Sequence, residues 1–165
     1  MKADMIVFSG SSNRNLAERV AERLGRPLGD SQAVKFSNEN IMVRIKDNCR
    51  EKDVFVIQTS STPVSDNLVE LLIYLDAIKY ASAGRVTAVI PYFPYCRSDK
   101  KDEPRISVAA RLMADLIQTA GAARVLTMNL HSPQIQGFFR IPVDQLLAAP
   151  IFFEYFDRVL FKEER

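Results

Sequence analysis

The sequence predicts an α/β domain in which helices flank a mainly parallel sheet. Four short apolar runs, at residues 5–8, 54–57, 86–90 and 125–128, do not alternate with polar residues, as is typical of strands buried on both faces. Between them, apolar residues recur every three or four positions, the period of a helix with one buried side. Strands that alternate with such helices favour parallel pairing and right-handed crossovers.

The three predicted helices are amphipathic, and residues suited to helix ends flank them. Their apolar stripes are, in chain order, Leu16, Val20 and Leu24, then Leu68, Leu71, Leu72 and Leu75, then Val108, Leu112 and Leu116. Each helix is predicted to stop at a glycine, Gly25, Gly84 or Gly121, since glycine adopts the left-handed conformation at least cost. Ser12 and Ser65 are the predicted N-caps of the first two helices.

Two further segments complete the predicted elements. Residues 35–45 are predicted to form a hairpin-like excursion between the first helix and the second main strand. Residues 154–165 are predicted to form an amphipathic helix that ends in charged residues.

The composition is that of an ordinary globular domain and excludes several classes of protein. Lys and Arg number 22 against 20 Asp and Glu, so the net charge of +2 gives no bulk attraction to nucleic acid. The two cysteines, Cys49 and Cys96, lack a CxxC spacing, which favours a reduced, cytoplasmic protein. No run reaches the roughly 18–20 apolar residues of a membrane span. We expect neither nucleic acid nor a membrane as partner.

Common nucleotide and metal motifs are absent from the sequence. It contains neither GxxxxGK[ST] nor GxGxxG, so it has no Walker-type phosphate loop and no dinucleotide-binding turn. With one histidine, His131, a single chain cannot build a metal site from two histidines.

Polar segments follow all four predicted strands, at residues 9–12, 58–62, 91–102 and 129–134. The carboxyl ends of parallel strands meet at one edge of the sheet, where α/β domains bind their ligands. The sequence therefore predicts a site at this edge.

The charged loop at residues 91–105 places aromatic residues and prolines before four cations and three carboxylates. Arg97, Lys100 and Lys101 are suited to a polyphosphate, and Asp99 or Asp102 to a cation or a ribose. The alternative interpretation is a solvated charged turn.

His131 and Phe36 are two further candidates. His131 is suited to contacting a triphosphate or, with Asp144 and phosphate oxygens, to surrounding Mg²⁺; a structural role is the alternative. Phe36 is suited to stacking on a base whose edge is read by Asn38, Glu39 or Asn40; burial in the core is the alternative.

Ordered motifs along nearly the whole chain resemble the ribose-phosphate pyrophosphokinase family. They are FSGSSN at 8–13 with LAER at 16–19, KDVFVIQT at 52–59, IPYFPY at 90–95, and QIQGFF at 134–139 with IPVD at 141–144. The resemblance implies transfer of diphosphate from ATP to ribose 5-phosphate with Mg²⁺, which makes phosphoribosyl pyrophosphate for nucleotide biosynthesis.

The resemblance also implies a domain organisation and an assembly. Residues 1–148 would form an ATP-contacting domain of the phosphoribosyltransferase type, which is Rossmann-like, and residues 149–165 would begin the following segment. The second domain would be absent. Ribose 5-phosphate would then bind only together with that second domain, and this chain alone would be inactive. Homo-oligomers, from dimer to hexamer, are expected.

The resemblance assigns roles to individual positions. Those for ATP are Phe36, Asn38 and Asn40 at the adenine, and Arg97, Ser98, Asp99, Lys100, Lys101 and Asp102 in the charged loop. His131 is the expected catalytic residue and, with Asn129 and Asp144, a ligand of Mg²⁺. Arg50 and Ser82 correspond to an allosteric phosphate site.

The sequence departs from the family pattern at Asn40, Ser98, Asn129 and Arg140. Fewer carboxylates and an added cation are expected to weaken Mg²⁺ binding unless ATP oxygens and water supply the ligands. Asn40, Asn129 and Arg140 favour one alternative, a non-catalytic regulatory subunit that associates with a synthetase. The retained residues favour the enzyme domain; they are Arg97, Asp99, Lys101 and His131. Composition and residue spacing, taken without the resemblance, indicate a third possible function, that of a generic phosphate-binding module.

Overall fold

A computed structural model of the protein describes residues 4–160. Its elements are, in order, β1 (Met5–Ser9), α1 (Arg14–Arg23), β2 (Ser31–Lys35), β3 (Ile41–Ile45), β4 (Asp53–Ile57), α2 (Val64–Tyr80), β5 (Arg85–Ile90), α3 (Ala109–Ala120), β6 (Arg124–Met128), a 3-10 helix (Pro133–Phe138), β7 (Val143–Leu146) and α4 (Ala149–Leu160). No helix in this part of the chain is both long and apolar enough to cross a membrane.

The central sheet has five strands, all parallel, in the order β1-β4-β5-β6-β7. The four predicted strands and the α/β class are confirmed. The fifth strand, β7, was not predicted. Asp144 and Gln145 occupy its centre, and its residues are at most partly buried, so this short edge strand needs no continuous apolar run.

The two faces of the sheet are covered unequally. Alternate strand residues point to opposite faces, and one set, which includes Phe8, Val56 and Val125, packs with α2, α3 and the β2–β3 hairpin in the larger core. The other set, which includes Val7 and Ile57, packs with α1 in a smaller cluster. The sheet therefore has one fully covered face and one that α1 covers in part.

The helix starts differ from the predicted N-caps because the predicted serines have other partners. Asn13 caps α1 by accepting a hydrogen bond from the Leu16 N–H at 3.0 Å, whereas the Ser12 hydroxyl donates to Gln58. α2 begins after Pro63 with no side-chain cap, and the Ser65 hydroxyl pairs with Tyr95.

The predicted helix stops are confirmed at two glycines and wrong at the third. Gly25 and Gly121 have φ angles of 65° and 122°, in the range that favours glycine. α2 ends at Tyr80, and the left-handed residue there is Ser82. Gly84 instead allows the chain to lie close to the Glu51 backbone, because a Cβ at Gly84 would lie 2.7 Å from the Glu51 carbonyl oxygen.

The predicted buried stripe of α3 is wrong. Leu112 and Leu116 are 42% and 38% exposed. The buried side of α3 consists of Ala110, Met113, Ala114 and Ile117, whose small alanines let the helix lie close to its neighbours.

The hairpin prediction is confirmed, with an earlier start. β2 and β3 pair antiparallel in a separate two-stranded sheet that packs on α2. The tail helix also starts earlier than predicted: α4 begins at Ala149, and none of its residues is buried. Residues 161–165 of the predicted tail lie outside the described residues.

Candidate functional site

The loops at the carboxyl edge of the sheet are joined to one another by backbone and side-chain hydrogen bonds. The Ser60 N–H donates to the Tyr92 carbonyl at 3.1 Å, and the Tyr92 N–H donates to Thr59 Oγ1 at 3.3 Å. The polar segments after β4 and β5 therefore form one surface, as the sequence predicted for this edge.

A buried glutamine joins the loop after β1 to the loop after β4. Gln58 is 1% exposed, and its Oε1 accepts hydrogen bonds from the Ser12 N–H at 3.0 Å and the Ser12 hydroxyl at 2.6 Å. Its amide donates to the Asn67 carbonyl on α2. Gly10 leaves the necessary room, because a Cβ there would lie 2.2 Å from Gln58 Oε1.

A buried carboxylate holds the same loop from the α2 side. Glu70 is 5% exposed, and its two oxygens accept from the Ser11 N–H at 2.7 Å and the Ser11 hydroxyl at 2.5 Å. Sequence reasoning missed Glu70. Its signal was a charged residue between Leu68 and Leu71, on the apolar side of a predicted helix.

Next to these contacts is a cavity of about 370 Å³ between the hairpin, α2 and the β1–α1 loop. Lys35 and Asp66 line it and form an ion pair of 2.7 Å. Both side chains are more than 40% exposed, so the pair contributes little to stability.

The charged loop after β5 is closed at its base by Ser98. The Ser98 hydroxyl donates to the Ser107 carbonyl at 2.8 Å and accepts from the Ala109 N–H at the start of α3. Ser98 was predicted to contact ATP, and the structure shows its hydroxyl engaged within the loop.

Asp99 joins the charged loop to the loop that carries His131. Its Oδ2 accepts hydrogen bonds from the Ser132 hydroxyl and from the Gln134 amide, the latter at 3.2 Å. The Ser132 hydroxyl holds the pKa of the Asp99 carboxyl below its ordinary value. Asp99 is therefore a carboxylate at neutral pH that fixes two of the predicted site segments together.

Three cations of the charged loop point into solvent. Arg97, Lys100 and Lys101 are exposed, and no ion pair between residues 4 and 160 includes any of them. Asp102 is also exposed. The loop therefore presents to solvent three cations that form no ion pair within the described chain, beside the exposed carboxylate of Asp102.

Cys96, next to Arg97, is not suited to nucleophilic chemistry. Burial raises the pKa of its thiol, and the thiol donates to the Phe93 carbonyl at 3.1 Å. A neutral thiol is a weak nucleophile, so the chemistry of this edge depends on charge and hydrogen bonding.

The three residues predicted to bind Mg²⁺ do not converge. His131 is exposed at the carboxyl edge, whereas the Asp144 carboxylate pairs with Arg124, the first residue of β6. Asn129 Oδ1 accepts from the Ala148 N–H at 3.1 Å. Between residues 4 and 160, no three His, Cys, Asp or Glu side chains lie close enough to hold a metal ion.

The hairpin turn presents the predicted adenine contacts to solvent. Phe36 is 48% exposed, so burial in the core, the alternative for this residue, is excluded. Asn38 Oδ1 accepts from the Asn40 N–H at 3.2 Å, and the Phe36 N–H donates to the Asn40 carbonyl at 2.8 Å. These bonds fix the turn and leave the ring free for stacking.

Arg50 and Ser82 come together at the opposite edge of the sheet. Arg50 bridges Ala83, and the Glu51 N–H donates to the Ser82 carbonyl at 2.8 Å. Both segments directly precede strands, β4 and β5, so this predicted phosphate site is separate from the candidate ATP edge.

Comparisons with known proteins agree on one family. The family model for the N-terminal domain of ribose phosphate pyrophosphokinase matches residues 5–121. A ribose-phosphate pyrophosphokinase from Deinococcus radiodurans is 57% identical over 157 residues, which are 95% of this chain and 49% of that protein. One from Clostridium acetobutylicum is 55% identical over 91% of this chain and 47% of its own length.

A solved structure shows the same fold. The crystal structure of phosphoribosylpyrophosphate synthetase from Mycobacterium smegmatis is similar to 94% of this chain with a TM-score of 0.92 and 40% sequence identity. The match covers 52% of that protein. The chain thus spans about half the length of the relatives it matches.

Proposed function

The chain belongs to the ribose-phosphate pyrophosphokinase family, and from this premise we propose that it is the ATP-binding half of an enzyme that transfers diphosphate from ATP to ribose 5-phosphate. The product would be phosphoribosyl pyrophosphate. We assign ribose 5-phosphate to the half of the relatives that this chain does not span. The chain by itself is then expected to bind ATP without turnover.

The observation that carries this proposal is a group of exposed cations without ion pairs in the loop after β5. Arg97, Lys100 and Lys101 are exposed and unpaired within residues 4–160, and Asp99 fastens their loop to the His131 loop. A triphosphate carries the complementary charge. The planar guanidinium of Arg97 is suited to two phosphate oxygens at once, and the lysines act as point charges.

This charge is also what the chemistry requires. Phosphoryl-type transfer depends mainly on positioning and on stabilising charge on the transferred group, with little covalent help from the protein. His131 is exposed in the loop that Asp99 joins to the charged loop, and it is proposed as the catalytic residue that donates a hydrogen bond to a phosphate oxygen. Phe36 is proposed to stack on the adenine.

Mg²⁺ is proposed to arrive as part of the substrate, bound to ATP. Asn129 and Asp144 are engaged with Ala148 and Arg124, so Asn129, His131 and Asp144 do not form a ready ligand set. ATP oxygens and water would supply most ligands, as Mg²⁺ commonly requires. A homo-oligomer, up to a hexamer, and a cytoplasmic location remain part of the proposal.

Titration calorimetry of Mg²⁺–ATP into the purified chain tests this function. We expect ATP to bind more tightly than AMP, because the cations recognise the phosphates. Arg97→Ala and His131→Ala are expected to weaken ATP binding by about tenfold or more each, the effect of losing one charge-assisted hydrogen bond. The matched control is Arg19→Ala, which removes an exposed cation from α1 and is expected to leave binding unchanged.

A second function, that of a non-catalytic regulatory subunit, is favoured by one observation: the Asn129 amide oxygen is committed to the Ala148 N–H. Adding the chain to an active relative distinguishes the two. A folded chain that binds no ATP but changes the relative's rate supports the regulatory function. ATP binding that requires Arg97 and His131 supports the first.

A further inference from the structure

The β2–β3 hairpin is held to the domain mainly through α2. Within residues 4–160 its two strands pair with each other and with no strand of the central sheet, and they pack on α2. One side-chain hydrogen bond to α2 joins Lys35 to Asp66 at 2.7 Å, but both of these side chains are largely exposed. A second joins Ser31, at the start of β2, to Tyr74 at 3.1 Å. The second bond is therefore the one that is shielded from solvent.

The Tyr74 hydroxyl is a buried junction between three elements. Tyr74 lies on α2 and is 1% exposed, and its hydroxyl donates to the Ser9 carbonyl, at the carboxyl end of β1, at 3.2 Å. Because a tyrosine hydroxyl has one hydrogen, the Ser31 hydroxyl must be the donor in the second bond. Burial raises the pKa of the Tyr74 hydroxyl, so it remains neutral and keeps this pattern at physiological pH.

The same side of α2 also holds the loop after β1. Glu70 lies one helical turn before Tyr74, and its carboxylate accepts two hydrogen bonds from Ser11. Tyr74 binds Ser9, two residues earlier. One helix therefore fixes both the hairpin and a loop of the candidate site.

A small tilt at Ser31 has a large effect at Phe36, which directly follows β2. A five-residue strand is about 17 Å long, so a tilt of about 10° at its start moves its far end by about 3 Å. Stacked rings touch at carbon separations of about 3.5–4 Å, and such a displacement would separate them. Apolar contacts of Ala33 and Val43 hold the hairpin against the core, but they have no preferred direction. A hydrogen bond has one.

We propose that Tyr74 is a positioning residue for nucleotide binding: through Ser31, its buried hydroxyl sets the direction of the hairpin and so the place of the Phe36 ring. This inference rests on the proposed function, in which Phe36 stacks on the adenine and the charged loop holds the phosphates. Recognition of the adenine then depends on a hydroxyl that touches no ligand. Recognition of the phosphates does not depend on it.

Titration calorimetry with two ligands, Mg²⁺–ATP and inorganic tripolyphosphate, tests this division. Tyr74→Phe is expected to weaken ATP binding by about three- to tenfold, the effect of losing one hydrogen bond, and to leave tripolyphosphate binding unchanged. A general loss of structure would weaken the binding of both ligands. The matched control is Tyr80→Phe, which removes the hydroxyl of a tyrosine that is 79% exposed at the end of α2 and is expected to change neither affinity.

Substitutions at Ser31 test the same bond from the hairpin side. Ser31→Ala removes the donor and is expected to weaken ATP binding as much as Tyr74→Phe does. The double variant is expected to bind no more weakly than either single variant, because both changes break one link. Ser31→Thr keeps the hydroxyl and suits a strand, so it is expected to bind ATP like the wild type.

Amide hydrogen exchange without ligand separates this proposal from the proposed function. Tyr74→Phe is expected to speed exchange in residues 31–45 by about threefold or more and to leave β5 and β6 unchanged. Unchanged exchange in the hairpin would overturn the proposal, and so would an equal loss of affinity for ATP and tripolyphosphate. A wild-type chain that binds no ATP would refute the proposed function and, with it, the role of Tyr74 in nucleotide binding, whereas the exchange result would still decide whether Tyr74 holds the hairpin.

Discussion

Gln58→Leu is expected to lower the free energy of unfolding by about 2–4 kcal/mol. Leucine fills nearly the same volume, so the change removes hydrogen bonds without opening a large cavity. The N–H and hydroxyl of Ser12, bonded to Gln58 at 3.0 and 2.6 Å, lose their acceptor. Ser12 is half-buried, and each such group costs about 1–2 kcal/mol when left without a partner.

Urea and thermal unfolding followed by circular dichroism measure this change. For a chain of this size the loss corresponds to a fall in Tm of roughly 4–16 °C. The matched control is Gln32→Leu, the same substitution at an exposed position of β2. If the two variants agree within about 0.5 kcal/mol, Gln58 does not hold the β1–α1 loop through these bonds, and the argument for the organised edge fails.

The remaining predictions concern acid stability and close packing. The pKa of Asp99 is lowered by Ser132, so its carboxylate stabilises the fold above the unfolded pKa of about 3.9, and this contribution is lost as the pH falls through the lower folded value. In the Asp99→Asn variant, the free energy of unfolding is expected to fall less steeply as the pH is lowered. A pH dependence equal to that of the wild type would contradict this role of Asp99. Gly84→Ala is expected to destabilise by about 1–3 kcal/mol through contact with Glu51, and Gly137→Ala, with open space around it, by less than about 0.5 kcal/mol. Equal melting temperatures would refute the packing argument.

The four predicted strands could be found because burial on both faces demands continuous apolar runs. β1, β4, β5 and β6 follow this pattern, and their order along the chain alternates with helices. β7 does not follow it, because its residues are at most partly buried and it tolerates Asp144 and Gln145. The prediction for α3 was wrong for a related reason. Periodicity shows that a helix has an apolar side, but α3 has two candidate sides, and the one that meets the core is the side with Ala110 and Ala114.

The position of the candidate site was predictable from topology, but its internal bonds were not. Polar loops after parallel strands had to meet at one edge, and Arg97 and His131 do lie there. The pairing of Glu70 with Ser11 joins residues 59 positions apart, and no local pattern contains that information. The same holds for Asp144, whose pairing with Arg124 depends on the register of two strands.

The β2–β3 hairpin has a consequence for how nucleotide selectivity could be altered. It shares no strand ladder with the central sheet, and its turn is closed by bonds between its own residues, Phe36 to Asn40. The proposed adenine contacts therefore sit on a self-contained loop whose side chains support no other part of the core. Replacing this turn with that of a relative is therefore expected to change which base is preferred without changing how the rest of the chain folds.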